Sequence, residues 1–225
     1  MDQVSATPET GAALRRARQI RVCIWIILGG TALDVVGDLV DLATMARLRA
    51  VVATHGWGRV PAEALEGIDP PFAITVFLAL GGIAAAVTTG FVCWYAYKLS
   101  DSLGLRRPEY SAGWTIAALY LPLIVLWRPW QGLSALRESL SLHAGRPLPG
   151  VAPLGVFWIV AAWLGGAGLK QAFKSSPASP GAFHSYVTTN QIFDVVTAVA
   201  AVCLAAATAR FFLGLAATAT HAPHP

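Results

Sequence analysis

The chain has 225 residues, 56% of them hydrophobic and 12% charged, with a mean hydropathy of +0.58. A soluble domain carries roughly a quarter charged residues, so this composition excludes a disordered protein, a nucleic-acid reader built on basic patches and a conventional soluble enzyme. The excess of 16 Lys and Arg over 12 Asp and Glu reads instead as an orientation signal for an integral membrane protein.

Residues 1–21, with Arg15, Arg16, Arg18 and Arg21, read as a basic cytoplasmic tail. A helix rises about 1.5 Å per residue and the hydrocarbon is about 30 Å thick, so a span needs about 20 mostly apolar residues. Residues 22–46 meet this. Their length, their three acids and the lack of a small-x-small cleavage site make them a retained signal-anchor rather than a cleaved leader. The acids are Asp34, Asp38 and Asp41, and at 100° per residue they share one helical face. A carboxylate at mid-bilayer costs at least about 2.5–3.5 kcal/mol, so it needs a partner or a wet cavity. Three readings stand: a proton or cation path, a pairing of Asp34 or Asp38 with Arg128, or a helix displaced so that Asp38 and Asp41 reach headgroup water.

The second span is the uncharged stretch 71–97, closed by Trp94, Tyr95, Tyr97 and Lys98 as an interfacial belt. Gly82, Ala86 and Gly90 repeat every four residues, as do Gly81, Ala85 and Thr89. Such faces let helix backbones approach closely, either within one bundle or between copies.

Residues 114–142 read as a kinked hairpin. Pro122 and Pro129 each remove a helical hydrogen bond. Beyond them Leu133, Leu136 and Leu140 share one face, with Ser134, Arg137, Glu138 and Ser141 elsewhere, a pattern that suits a helix lying in the interface. Residues 151–170 form the third span, Lys170 to Asn190 an outer loop and 190–213 the fourth span. Asp194 reads as a first-turn acid favoured by the helix dipole. Residues 217–225 complete the chain as a flexible tail.

Charge counting supports this order. If the hairpin returns to its starting side, 11 basic residues lie inside and 5 outside; if it crosses, with Arg128 set aside, the split is 9 against 6. The positive-inside rule favours the first arrangement. The expected fold is all-α and integral to the membrane, one domain over residues 22–216. It has four transmembrane helices plus a membrane-embedded or re-entrant/interfacial hairpin, with five spans as the alternative.

The stretch Trp94 to Glu138 carries a recognisable pattern. It holds Trp94, Tyr97 and Lys98, then Leu103-Gly104, then Ser111-Ala112-Gly113-Trp114. Pro122 follows, then Leu126-Trp127-Arg128-Pro129-Trp130-Gln131 and Arg137-Glu138. This resembles the bacterial membrane domain-of-unknown-function family numbered forty-three twenty-eight, over roughly residues 75–170. The family often shows an Asn at two positions where this chain has Leu99 and Val125. The resemblance implies a multi-pass protein of the bacterial inner membrane and carries no established activity.

Catalytic patterns are missing from the sequence: it has no HExxH, GxSxG or phosphate-loop motif. The histidines are scattered, and Cys23, Cys93 and Cys203 each sit in an apolar run as small hydrophobes. Neither a metal site, a cofactor nor an enzyme is expected. Candidate polar residues are Asp34, Asp38, Asp41 and Arg128; the family-motif residues are Trp94, Gly113, Trp114, Pro122, Trp127, Arg128 and Pro129. The expected protein is a non-catalytic structural or regulatory membrane component, with a small proton- or cation-conducting protein as the alternative. Its expected partners are membrane lipid and a second copy or another membrane protein, with no role for nucleic acid.

Overall fold

The computed structural model describes residues 8–66, 68, 71–105, 111–121, 128–172 and 179–220. The expected Pro122, Val125, Trp127 and the last five tail residues lie outside them. Among the described residues there is no strand. The helices are α1 Pro8–His55, α2 Ala62–Leu65, α3 Phe72–Ser102, α4 Ala112–Tyr120, α5 Arg128–Ala144, α6 Ala152–Ala172 and α7 Pro180–Ala216, with a 3-10 turn at Ala217–Thr220.

Three stretches are long and apolar enough to cross a membrane, by length and composition: Gly11–His55, Phe72–Ser102 and Pro180–Thr220. Helix α6 has 21 residues, of which Ala152–Leu164 form a shorter apolar stretch.

Two helices are longer than their sequences led one to expect. From Pro8 onward, the basic tail is the opening of α1, a helix of 48 residues and about 72 Å. The reason is an apolar stripe: Ala13, Ala17, Ile20, Ile24 and Ile27 recur at alternating steps of four and three and are all buried. The arginines occupy the other faces. At the far end of the chain, α7 starts at Pro180 and takes in half of the expected outer loop. The Ser179 hydroxyl accepts a hydrogen bond from the Ala182 N–H (3.2 Å), and Pro180 has no N–H to leave unsatisfied. Residues 217–220, expected to be flexible, form the 3-10 turn, with Thr218 and Ala219 buried.

The chain divides into two compact units. Unit 1 comprises Met1–Gly29, Ala84–Ile159 and Leu204–Pro225; unit 2 comprises Gly30–Ile83 and Val160–Cys203. Each of α1, α3, α6 and α7 contributes a segment to both. Unit 1 holds the apolar core. It is built from Ile20, Ile24 and Ile27 of α1, Val92, Ala96 and Leu99 of α3, Leu133, Leu136 and Leu140 of α5, and Phe211, Phe212 and Leu215 of α7. The leucine face of α5, expected to rest in the interface, is therefore buried inside the protein. Leu99 is fully buried in this core, so an apolar neighbourhood surrounds the position where the family pattern often has Asn.

In unit 2, α1 and α3 run in opposite directions in close contact. A Cβ placed on Gly37 would lie 3.6 Å from Leu78 Cβ, and one on Gly81 would lie 2.6 Å from Leu33 Cβ and 2.9 Å from the Gly30 carbonyl oxygen. In unit 1, a Cβ on Gly90 would meet Ile116 and Tyr120 of α4 at 3.4 Å. The small-residue faces of α3 are thus used within the chain. Elsewhere in unit 2, the ends of α1 and α7 meet. The Arg49 guanidinium donates to His184 Nδ1 (3.2 Å), and the Trp57 and Phe183 ring centroids lie 4.9 Å apart.

Candidate functional site

The acidic face of α1 lies in unit 2. Asp34 and Asp38 are half-buried and Asp41 is exposed. Together with Gly37, Thr75, Leu78 and Ala79 they line a cavity of about 170 Å³, and no basic side chain lines it. The α1–α3 seam shapes this site directly. Asp34 lies over Gly82, where an added Cβ would stand 2.9 Å from Asp34 Oδ1. A residue with any side chain at position 82 would displace that carboxylate.

Asp38 stands at the centre of the cluster. It is within electrostatic reach of Asp34, Asp41 and Asp194, and Asp194 is in reach of Asp41. Its Oδ2 atom is buried and has no hydrogen-bond partner among the described residues. Among the described residues of unit 2, no basic side chain pairs with any of the four acids.

Asp194 was read from the sequence as a first-turn acid. The structure corrects this: α7 starts fourteen residues earlier, at Pro180, so the helix dipole does not account for Asp194. The sequence signal for the earlier start was Ser179-Pro180, an N-cap residue followed by a proline suited to the first helical position. Among the described residues, no group of three or more His, Cys, Asp or Glu side chains is arranged to hold a metal ion. Three carboxylates, Asp34, Asp38 and Asp41, thus line one small cavity, with Asp194 of α7 within electrostatic reach of Asp38 and Asp41.

The remaining singled-out residues belong to unit 1. Arg128 is the first residue of α5 and half-buried. Pro129 follows it in the first turn and is buried. In the first turn of α5 a proline's missing N–H has no partner to lose within that helix. Trp94 is 41% exposed and carries Lys98 Nζ 5.3 Å from its ring centroid, while Lys98 also pairs with Asp101 at 3.5 Å. Ser111 caps α4 by accepting from the Trp114 N–H (3.3 Å). Trp114 is exposed, and open space surrounds Gly113.

The tightest contact of the motif region joins Tyr97 of the pattern to Thr115 and Gly132, which the pattern did not single out. Tyr97 and Thr115 share a buried hydrogen bond of 2.8 Å. An added Cβ on Gly132 would lie 2.6 Å from Thr115 Oγ1 and 2.8 Å from the Tyr97 hydroxyl. The aromatic-basic end of α3, the capped α4 and the start of α5 therefore converge on one polar contact that only glycine at position 132 permits.

Residues 62–217 match the family described as a domain of unknown function, DUF4328. The match covers more than half of the chain and reaches well beyond the stretch that first suggested it. Asp194 and all the motif residues fall inside it, whereas Asp34, Asp38 and Asp41 precede it. No curated protein and no solved structure matches the chain.

Proposed function

The chain belongs to the DUF4328 family, and from that premise we propose a non-catalytic, multi-pass protein of the bacterial inner membrane with a cytoplasmic N-terminus. Its role is structural or regulatory, exercised through helix packing and through contacts with lipid or another membrane protein. Helices α1, α3, α6 and α7 are its four spans, and α4 with α5 its membrane-embedded hairpin. One observation carries this reading. Large apolar side chains point outward along all three long helices, among them Trp25 (74% exposed), Phe72 (83%) and Val199 (59%). Surfaces of this kind need lipid rather than water.

Cysteine-accessibility labelling in oriented membranes tests the topology, in a background lacking Cys23, Cys93 and Cys203. Arg146→Cys serves better than a change at Gly145, whose φ of +61° disfavours a side chain. The cysteine at position 146 is expected to react from the cytoplasmic side. Reaction from the opposite side would mean that the hairpin crosses, and the four-span arrangement would fall.

A second reading is favoured by the cavity beside Asp34, Asp38 and Asp41: a proton or cation path through the membrane. Among the described residues of unit 2 these carboxylates have no basic partner, and carboxylates at depth need a wet neighbourhood or a bound positive charge. On this reading, protein reconstituted in proteoliposomes carries a proton or monovalent-cation flux, and Asp38→Asn removes it. Flux equal to that of empty vesicles would leave the packing role alone.

A further inference from the structure

In unit 1 a groove of about 490 Å³ opens between α1 and α3. Its walls are apolar, formed by Val22, Cys23 and Ile26 on one side and Phe91 on the other. Ile26 and Phe91 are 45% and 55% exposed, so the groove faces outward. Arg18, Gln19 and Tyr95 supply its polar part. Because the two helices run antiparallel, Arg18 and Tyr95 stand at one end and Ile26 and Thr88 at the other. Along α1 the groove extends from Arg18 to Ile26, about 12 Å of helix rise.

Along α1 the charge beside this groove is of one sign. Between residues 12 and 30, α1 carries Arg15, Arg16, Arg18 and Arg21 and no acid. Arg18 is exposed, and no carboxylate among the described residues pairs with it. Gln19, the other polar side chain of α1 at the groove, accepts from Arg16 Nη1 at 2.8 Å through its Oε1. A cationic mouth above an apolar trough between two helices matches an amphiphile with an anionic head and a hydrocarbon chain. Guanidinium groups bind phosphate oxygens in paired hydrogen bonds, and basic pockets between membrane helices hold acidic lipid headgroups.

We infer that this groove is a binding site for one anionic glycerophospholipid, its phosphate at Arg18 and an acyl chain along Cys23, Ile26 and Phe91. The inference goes beyond the role proposed above. It needs a bilayer around these helices, but neither the acidic cavity nor the path of the hairpin.

The test uses the full-length protein in detergent micelles. It is titrated with phosphatidylglycerol or with phosphatidylcholine of the same acyl chains, and bound lipid is counted by native mass spectrometry. Phosphatidylglycerol is expected to be retained over phosphatidylcholine. Arg18→Gln should cut that preference about fivefold, the effect of one basic residue near a phosphate. Ile26→Trp, which fills the trough and leaves the mouth intact, should reduce binding of both lipids. Arg146→Gln, far along the chain on another segment, should change neither. The proposal is overturned if the wild type retains both lipids equally. It also fails if Arg18→Gln and Arg146→Gln lower the preference alike, because net charge alone would then explain it. Undiminished phosphatidylglycerol binding by Ile26→Trp would place the headgroup on a basic surface outside the groove, and would equally overturn it. None of these outcomes bears on the sidedness of residue 146, so failure here is separable from failure of the membrane topology.

Discussion

Gly132 is where one hydrogen atom decides the packing of three elements. The Tyr97 hydroxyl and Thr115 Oγ1 meet at 2.8 Å directly beside it. A methyl group there must break that buried hydrogen bond or push α5 away from α4, and overpacking of this kind costs about 1–3 kcal/mol. Gly132→Ala is therefore expected to lower the apparent Tm in detergent, followed by intrinsic tryptophan fluorescence. Gly113→Ala, made in open space, should leave the Tm unchanged or raise it slightly through better helix propensity. Equal effects of the two changes would show that helical glycine content matters here and the Tyr97–Thr115 contact does not. The sequence pattern drew attention to Gly113 and Trp114, yet the tight contact lies at Gly132. No spacing rule reveals that, because the crowding atoms come from residues 17 and 35 positions away in the chain.

At the scale of elements, the α1–α3 seam in unit 2 separates two neighbouring glycines by what they face. Gly81 faces the Leu33 Cβ and the Gly30 carbonyl, neither of which can move without moving α1. Gly82 faces the end of the Asp34 side chain, which can swing aside. Gly81→Ala is expected to destabilise the protein by about 1–3 kcal/mol, read as a lower apparent Tm. Gly82→Ala should spare the Tm, while shifting Asp34 beside the cavity. A Gly82→Ala loss as large as that of Gly81→Ala would mean that the carboxylate is held more firmly than its setting implies. These close approaches also account for the small-residue repeats. Their partner was an open question in the sequence, and here it is α1 in one unit and α4 in the other.

For the whole molecule, the all-helical class was legible from the first count of residues. Too few charged groups and several long apolar runs admit an all-helical protein with helices of membrane-crossing length, because only helices and closed barrels satisfy the backbone without water. The carboxylate face of Asp34, Asp38 and Asp41 was legible as well, since helical periodicity is a local property. The extents of α1 and α7 were partly legible, in the buried stripe from Ala13 to Ile27 and in Ser179-Pro180, but arginines and loop-forming residues masked both signals. What only the tertiary structure decided was partnership. Asp194 joins the acids of α1, the leucines of α5 turn into the core, and Gly132 leaves room for Tyr97 and Thr115. Each of these rests on atoms brought together from distant parts of the chain, and periodicity along one helix carries no information about which other helix will lie against it.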